Sequence, residues 1–281
     1  MLTGKNIIIT GANSGIGRVT ALKLAGYGAK VFLACRSYDR TYSLISTISE
    51  KYGSDKVVWL PIDLNSLDSV KNCADSFLRL NVNLHCLINN AGVAGVRGLT
   101  EDGFEKNFGV NFLGHFLLTK LLLKKLDSAD SAKIINVSSK VHKKIKNFSW
   151  DRVTKKTSSL TGIDEYAFSK LANILFTNVL SQKLEKTKIS TFSIHPGLVD
   201  TEIWRSLPFF LKPLLKLKGM LTAEEGAKTT LHCVLNATFT DNGRYFSNQK
   251  ITLPSKVAQD KELAEELWKL SIDWTKKFIT N

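Results

Sequence analysis

Tyr166 and Lys170 stand four residues apart within Tyr166 to Leu184, whose apolar spacing is helical. Residues four apart on a helix are neighbours on one face. A phenol with an ordinary pKa near 10 is a weak acid or base at neutral pH, and an adjacent ammonium favours its phenolate. The pair is therefore suited to moving a proton to or from an oxygen. A second Tyr-x-x-x-Lys, Tyr52 with Lys56, has Gly53, Ser54 and Asp55 between its members at a helix-to-strand turn, so those side chains need not share a face. Ser138 and Ser139 follow the apolar run Lys133 to Val137. A hydroxyl at the C-terminal end of a buried strand stands where open α/β sheets hold their ligands. Either serine could hold an oxygen that gains charge.

The first strand candidate runs into Thr10-Gly11-Ala12-Asn13-Ser14-Gly15-Ile16-Gly17-Arg18, and a helix follows. Glycines there let the backbone turn tightly and approach a pyrophosphate, whose charge meets the unpaired N–H groups of the helix N-terminus. The loop predicts a dinucleotide site. At the end of the second strand, a carboxylate would bind the ribose 2′-hydroxyl of NAD, whereas a base would accept a 2′-phosphate. The sequence there is Ala34-Cys35-Arg36-Ser37, and Arg18 in the glycine loop adds a second cation, so NADP(H) is expected.

The glycine spacing is GxxxGxG rather than GxGxxG, and further motifs follow it in order. These are Asn89-Asn90-Ala91-Gly92, Tyr166-Ala167-Phe168-Ser169-Lys170 and Pro196-Gly197-Leu198-Val199-Asp200-Thr201. Together they resemble the short-chain dehydrogenase/reductase superfamily across nearly the whole chain. That resemblance implies cofactor contacts from Gly11, Asn13, Ser14, Gly15, Ile16, Gly17, Arg18 and Arg36. It adds Asp63 and Leu64 around the adenine, then Asn90, Ala91, Gly92, Pro196, Gly197, Val199 and Thr201. Tyr166 would give the proton as hydride reaches carbon, Lys170 would also bind the nicotinamide ribose, and Ser139 rather than Ser138 would hold the substrate oxygen. Asn111 resembles the fourth catalytic residue; an Asn inside a helix costs propensity and suits a local irregularity that binds a proton-relay water.

The gap from Ser139 to Tyr166 is 27 residues, longer than in the shortest members. That loop and Gly109-Val110-Asn111-Phe112-Leu113-Gly114-His115-Phe116 resemble the retinol dehydrogenase-like branch, as do Glu225 to Val234 and Gly243-Arg244-Tyr245-Phe246-Ser247. The branch implies hydride transfer between NADP(H) and an apolar carbonyl or alcohol, retinal/retinol-like or another lipid-derived aldehyde or ketone. A catalytically idle NADPH-binding scaffold is the alternative, and the intact Ser139, Tyr166 and Lys170 argue against it.

The elements that must position these residues alternate between short β-branched runs and longer helical stretches. Strands are expected over Lys5 to Thr10, Lys30 to Ala34, Lys56 to Pro61, Leu84 to Asn89, Lys133 to Ser138, Ile189 to His195 and Arg244 to Phe246. Helices are expected over Gly17 to Tyr27, Tyr38 to Tyr52, Leu67 to Leu80, Glu105 to Leu126, Glu165 to Glu185, Ala223 to Leu235 and Leu263 to Phe278. Near-continuous apolar strands imply burial on both faces. The expectation is an α/β fold: one Rossmann-type, doubly wound parallel sheet of about seven strands with helices on both faces, in a single domain over 1–281. Lys140 to Asp164 and Asp200 to Thr222 fit no regular element, and long loops in a compact domain are usually functional. The second, mixing Leu and Phe with lysines, reads as a substrate lid at about 200–222 and also suits peripheral contact with a membrane surface.

Composition narrows the partners. Lys plus Arg number 39 against 25 Asp plus Glu, a formal charge of +14. Eleven basic residues against three acidic ones fall between Lys120 and Lys156. Basicity admits nucleic acid, a membrane surface or a phosphate-rich ligand. With only Phe148 and Trp150 as aromatics in that stretch and no recognised module, no specific nucleic-acid partner is expected. The scattered Cys35, Cys73, Cys86 and Cys233 form no CxxC pair and suit a reducing compartment. The five histidines show no HExxH spacing, so no metal is expected. The chain is expected to be intracellular and cytoplasmic, without a signal peptide or spanning helix. It is read as a monomer or homodimer, because Glu105 to Leu126 and Glu165 to Glu185 resemble the family's dimer-forming helix pair.

Overall fold

The computed structural model describes residues 1–146, 149–200 and 219–279. Eight strands form one sheet in the order β3-β2-β1-β4-β5-β6-β7-β8. They are β1 (Asn6–Thr10), β2 (Lys30–Cys35), β3 (Val57–Pro61), β4 (Cys86–Asn89), β5 (Ala132–Val137), β6 (Ile189–His195), β7 (Tyr245–Ser247) and β8 (Lys250–Ile251). All neighbours are parallel except β7 and β8. Seven strands match the apolar runs of the sequence. The eighth, two exposed residues turned back along β7, is too short to leave a periodic signal.

Successive strand residues point to opposite faces, so the sheet needs cover on both. Ile8, Phe32 and Ile134 belong to one apolar core and Ile7, Ile9, Val31 and Leu33 to the other. Helices α1 (Gly15–Gly26) and α2 (Tyr38–Tyr52) contribute Leu24, Leu44 and Ile48 to the second core. Helix α3 (Leu67–Arg79) contributes Val70 and Phe77 to the first. The strand order reverses between β1 and β4, which opens a crevice at their C-terminal ends.

The helix expected over Glu105 to Leu126 is three pieces. A short α4 (Lys106–Phe108) leads into a π turn over Gly109–Leu113, and α5 (Gly114–Asp127) follows. The π turn holds Asn111 and supplies the irregularity expected there. Helix α6 (Ile163–Lys183) begins after Gly162, at φ +66°. The stretch before it, expected to lack regular structure, contains 3₁₀ turns at Lys140–Lys144 and Trp150–Thr154. Ser139 and Ser149 cap them, accepting from the N–H of Val141 and Asp151.

After α7 (Ala223–Leu235) and the β7–β8 hairpin, α8 (Lys261–Ile279) returns across α5 and α6. Trp268 sits edge-on to Phe116 at 5.3 Å and stacks on Phe176 at 6.1 Å. Leu263, Ala264 and Leu267 complete that contact with the first core. The helix pair that resembles a dimer-forming surface is therefore covered by the chain itself. Among the described residues no helix is long and apolar enough to cross a membrane. The expected lid lies largely at 201–218, outside the described residues, as does Thr201.

Candidate active site

A cleft of about 680 Å³ runs along the C-terminal ends of β1, β2, β4, β5 and β6. One end holds the glycine loop. Gly11 sits at φ +65°, and a Cβ on Gly17 would meet the Gly11 carbonyl and lie 2.6 Å from Asn90 Nδ2, so neither position has room for a side chain. Asn90 Nδ2 donates to Thr10 O at 2.8 Å and locks this loop to the end of β4. Helix α1 starts at Gly15 with no acidic residue in its first turn, leaving its N-terminus electropositive. Asn13, Ser14, Gly15, Ile16, Asn90, Ala91 and Gly92 line the same wall.

Beside the loop, Arg36, Asp63 and Leu64 also line the cleft. Arg36 Nη1 lies 3.5 Å from Asp63 Oδ2, and Asp63 Oδ1 accepts from the N–H of Asn65 at 3.0 Å. Arg18 is elsewhere: its Nη1 donates to Ser43 Oγ on α2 at 3.0 Å, and it is not among the lining residues. Arg40, in the first turn of α2, which Ser37 caps, also lines the cleft. Arg40 went unread because its place at the wall depends on how α2 leaves β2, not on a motif. A glycine cradle and a helix N-terminus flanked by two guanidiniums fit the phosphates of a dinucleotide.

At the other end, Tyr166 and Lys170 are 4% and 2% exposed. Lys170 Nζ donates to Val137 O at 2.9 Å and lies 5.6 Å from the Tyr166 ring centroid. The Ser139 hydroxyl hydrogen-bonds the Tyr166 side chain. Ser138, which the sequence alone leaves as an alternative, donates instead to Lys170 O at 2.6 Å. Burial pushes the phenol up to about 12, against the lowering effect of Ser139, and pulls the Lys170 ammonium down to about 7. The start of α6 is fixed by Glu165, whose Oε1 accepts from the N–H groups of Ser158 and Ser159 at 3.0 Å each. Burial disfavours that carboxylate, but these hydrogen bonds outweigh it and hold Glu165 at about 2.

Asn111 is fully buried and does not line the cleft. Its Oδ1 accepts from Val93 N at 2.8 Å and its Nδ2 donates to Val93 O at 2.9 Å, so it sets the backbone beyond Gly92. Its carbonyl accepts from Asn173 Nδ2 at 3.2 Å and meets His115 Nδ1 at 3.0 Å. Thr10 Oγ1 accepts the N–H groups of Asn90 and Ala91, both at 2.9 Å, which leaves its own proton for His115 Nε2 at 2.8 Å. His115 therefore carries its proton on Nδ1 and donates to Asn111. It ties the end of β1 to the π turn, a role that its sequence position alone did not reveal. Burial holds this histidine near 4. We expect His115→Phe to lower kcat roughly tenfold, because the Thr10 proton is left with only the longer 3.4 Å contact to Ile88 O and the Asn111 carbonyl loses one of its two side-chain partners. In the parent protein, kcat against pH should show no inflection from His115 near 6.5.

His195, at the end of β6, accepts from Lys140 N at 3.3 Å and is held near 4 by burial first and then Lys140. Pro196, Gly197 and Val199 follow along the cleft wall, with Gly197 at φ +98°. Val199 bridges to Leu221.

Residues 5–151 match the family model described as short chain dehydrogenase. The chain belongs to the short-chain dehydrogenase/reductase family. Human retinol dehydrogenase 12 is 40% identical to this short-chain dehydrogenase/reductase, over 97% of the chain and 86% of the relative. Bovine dehydrogenase/reductase SDR family member 13 is 37% identical, over 96% of the chain and 73% of the relative. These relatives place it on the retinol dehydrogenase-like branch. Among solved structures, an uncharacterized Mycobacterium paratuberculosis protein superposes with a TM-score of 0.80 at 30% identity, covering 98% of this chain and 94% of that one. The NADPH-bound carbonyl reductase from chicken fatty liver gives 0.71 at 25% identity, covering 90% of this chain and all of that one.

Proposed function

We propose that this short-chain dehydrogenase/reductase is an NADP(H)-dependent enzyme that interconverts an apolar aldehyde or ketone and its alcohol. The observation that carries the reading is one continuous cleft with Arg36 and Arg40 at one end and the Ser139, Tyr166 and Lys170 cluster at the other. When bound, the nicotinamide supplies the hydride to the carbonyl carbon or takes it back from the alcohol. The glycine loop from Gly11 to Gly17 and the α1 N-terminus hold the pyrophosphate, and Arg36 with Arg40 receives the 2′-phosphate. Ser139 orients the carbonyl oxygen, and Tyr166 gives it the phenol proton as charge develops there. Below its lowered pKa of about 7, Lys170 carries a positive charge beside the phenol and so eases its ionisation. Apolar walls at Val93, Val96, Val110, Val141, Ile163 and Leu198 favour a hydrocarbon body on the substrate. That fits the retinol dehydrogenases among its relatives.

Purified protein assayed with NADPH and NADH in parallel against apolar aldehydes and ketones should strongly prefer NADPH. The double variant Arg36→Ala/Arg40→Ala should raise KM for NADPH about thirtyfold and that for NADH little, as expected from losing charge-assisted hydrogen bonds to a phosphate. Equal rates with both cofactors in the parent protein would overturn the NADP(H) assignment. Absence of turnover with either would return the chain to a binding role. We also infer a monomer, because α8 with Trp268 and Leu267 covers the face of α5 and α6 that a helix-pair dimer would need. Sedimentation equilibrium at micromolar concentration tests this.

A further inference from the structure

Beyond Tyr166, the cleft wall carries two cations that the carbonyl chemistry does not use. Lys140 directly follows Ser139, and Lys144 lies on the same 3₁₀ turn, three residues after Val141. Positions three apart on such a turn eclipse one another, so Lys144 stands over Val141 on the wall. Both lysines line the cleft while remaining solvent-exposed. Among the described residues neither has an ion-pair partner within 4 Å. The lining residues of this half include no Asp or Glu; Asp63, the cleft's carboxylate, lies at the far end against Arg36. His195 beside Lys140 is half-buried and held neutral, so it supplies no negative charge. Glu165, beside Tyr166, is engaged by hydrogen bonds from Ser158 and Ser159 and an ion pair with Arg152. An apolar pocket whose catalytic mouth carries two cations and, among the described residues, no carboxylate is mismatched to a wholly neutral ligand. The cofactor's phosphates do not explain the cations, because Arg36, Arg40 and the glycine loop meet them at the opposite end.

We propose that the carbonyl substrate carries an anionic group, a carboxylate or phosphate on an apolar chain, held at the mouth of the cleft by Lys140 and Lys144. This rests on the reading of the cleft as a carbonyl reductase site. Exposed ion pairs are individually weak, so two acting together on one anion are worth about tenfold in kcat/KM.

The test compares a linear ω-oxo fatty acid with its methyl ester, both water-soluble, with NADPH at low and high salt. The acid should be preferred about tenfold at low salt, and less so as salt screens the exposed ammoniums. Lys140→Gln/Lys144→Gln should bring the ratio of acid to ester to about one; both positions are exposed, so folding should be retained. A free-carboxylate phosphonate analogue of the chain, presented without the aldehyde, should compete with the acid in the parent and lose that competition in the variant. Ester turnover without preference for the acid, or a preference that survives in the double variant, overturns the inference and leaves the reductase reading standing. No NADPH consumption with either substrate defeats the reductase reading, and the inference falls with it. A gain for the ester only on phosphatidylserine vesicles, lost in the variant and without acid preference in free solution, assigns the lysines to a membrane surface and overturns the substrate proposal.

Discussion

Replacing Tyr166 with Phe is expected to lower kcat/KM for carbonyl reduction about 1,000-fold, the middle of the range for a lost general acid. The ring is buried at the edge of the cleft, so Phe fills the same volume and the fold should be unaffected. NADPH affinity, read by fluorescence titration, should stay within about threefold, since the phosphate contacts lie elsewhere. A variant that keeps more than a tenth of the parent's rate would remove Tyr166 from the proton transfer. The pH dependence gives an independent check with opposite signs in the two directions. Burial raises the phenol to about 12, so its donor form dominates throughout pH 6 to 9, and over that interval carbonyl reduction should decline as Lys170, held near 7, loses its proton. Alcohol oxidation needs the phenolate, whose fraction rises about tenfold per pH unit below the pKa, so its kcat/KM should climb over the same interval. Tyr166→Phe should abolish that climb.

Lys170→Met should separate activity from stability. Activity should fall by about 1,000-fold, because no positive charge remains beside the phenol. Stability should move the other way. Burial lowers the Lys170 pKa from 10.5 to about 7, so between those values the unfolded chain holds a proton that the folded chain does not. The buried ammonium therefore opposes folding in full below pH 7, and this opposition fades as pH rises towards 10.5. Removing it should raise stability by about 2 kcal/mol or more at pH 6, several degrees in Tm, with the gap closing by pH 10. Val137 O keeps Asn173 Nδ2 as a donor at 3.2 Å, so the variant leaves no buried acceptor unpaired. Thermal unfolding of parent and variant at pH 6, 8 and 10 measures this. A Tm difference that does not depend on pH would mean that Lys170 is not held near 7.

The strands and helices that build the sheet follow closely from local pattern, because strands buried on both faces must be apolar throughout and helices that cover them must be apolar on one stripe. Lys30 to Ala34 and Ile189 to His195 are read this way with at most one residue of error. The pattern fails where a hydrogen-bond ladder slips without changing composition. The helix through Asn111 keeps a helical apolar spacing across Lys106 to Asp127 yet is interrupted by a π turn, whose Asn111 carbonyl meets Asn173 from α6 and His115, itself bonded to Thr10 of β1.

The same division holds for the site. The glycine loop is one short stretch and Tyr166 with Lys170 another, so local spacing points to each group, but Tyr52 with Lys56 repeats the second spacing and only the helical context and the accompanying motifs set the two apart. Which of two adjacent serines faces the phenol is settled where β5 meets α6: Ser138 turns to the Lys170 carbonyl and Ser139 to Tyr166. Which arginines line the cleft with Arg36 is decided by the exit of α2, which brings Arg40 there while Arg18 bonds Ser43. His115 meets Thr10 across 105 residues of chain, and α8 seals α5 and α6 from a distance that no local period records. Local spacing determines which groups share one turn of helix or one loop. Groups that meet across the sheet are chosen by packing and by the need to pair buried polar atoms, and only the folded chain decides those.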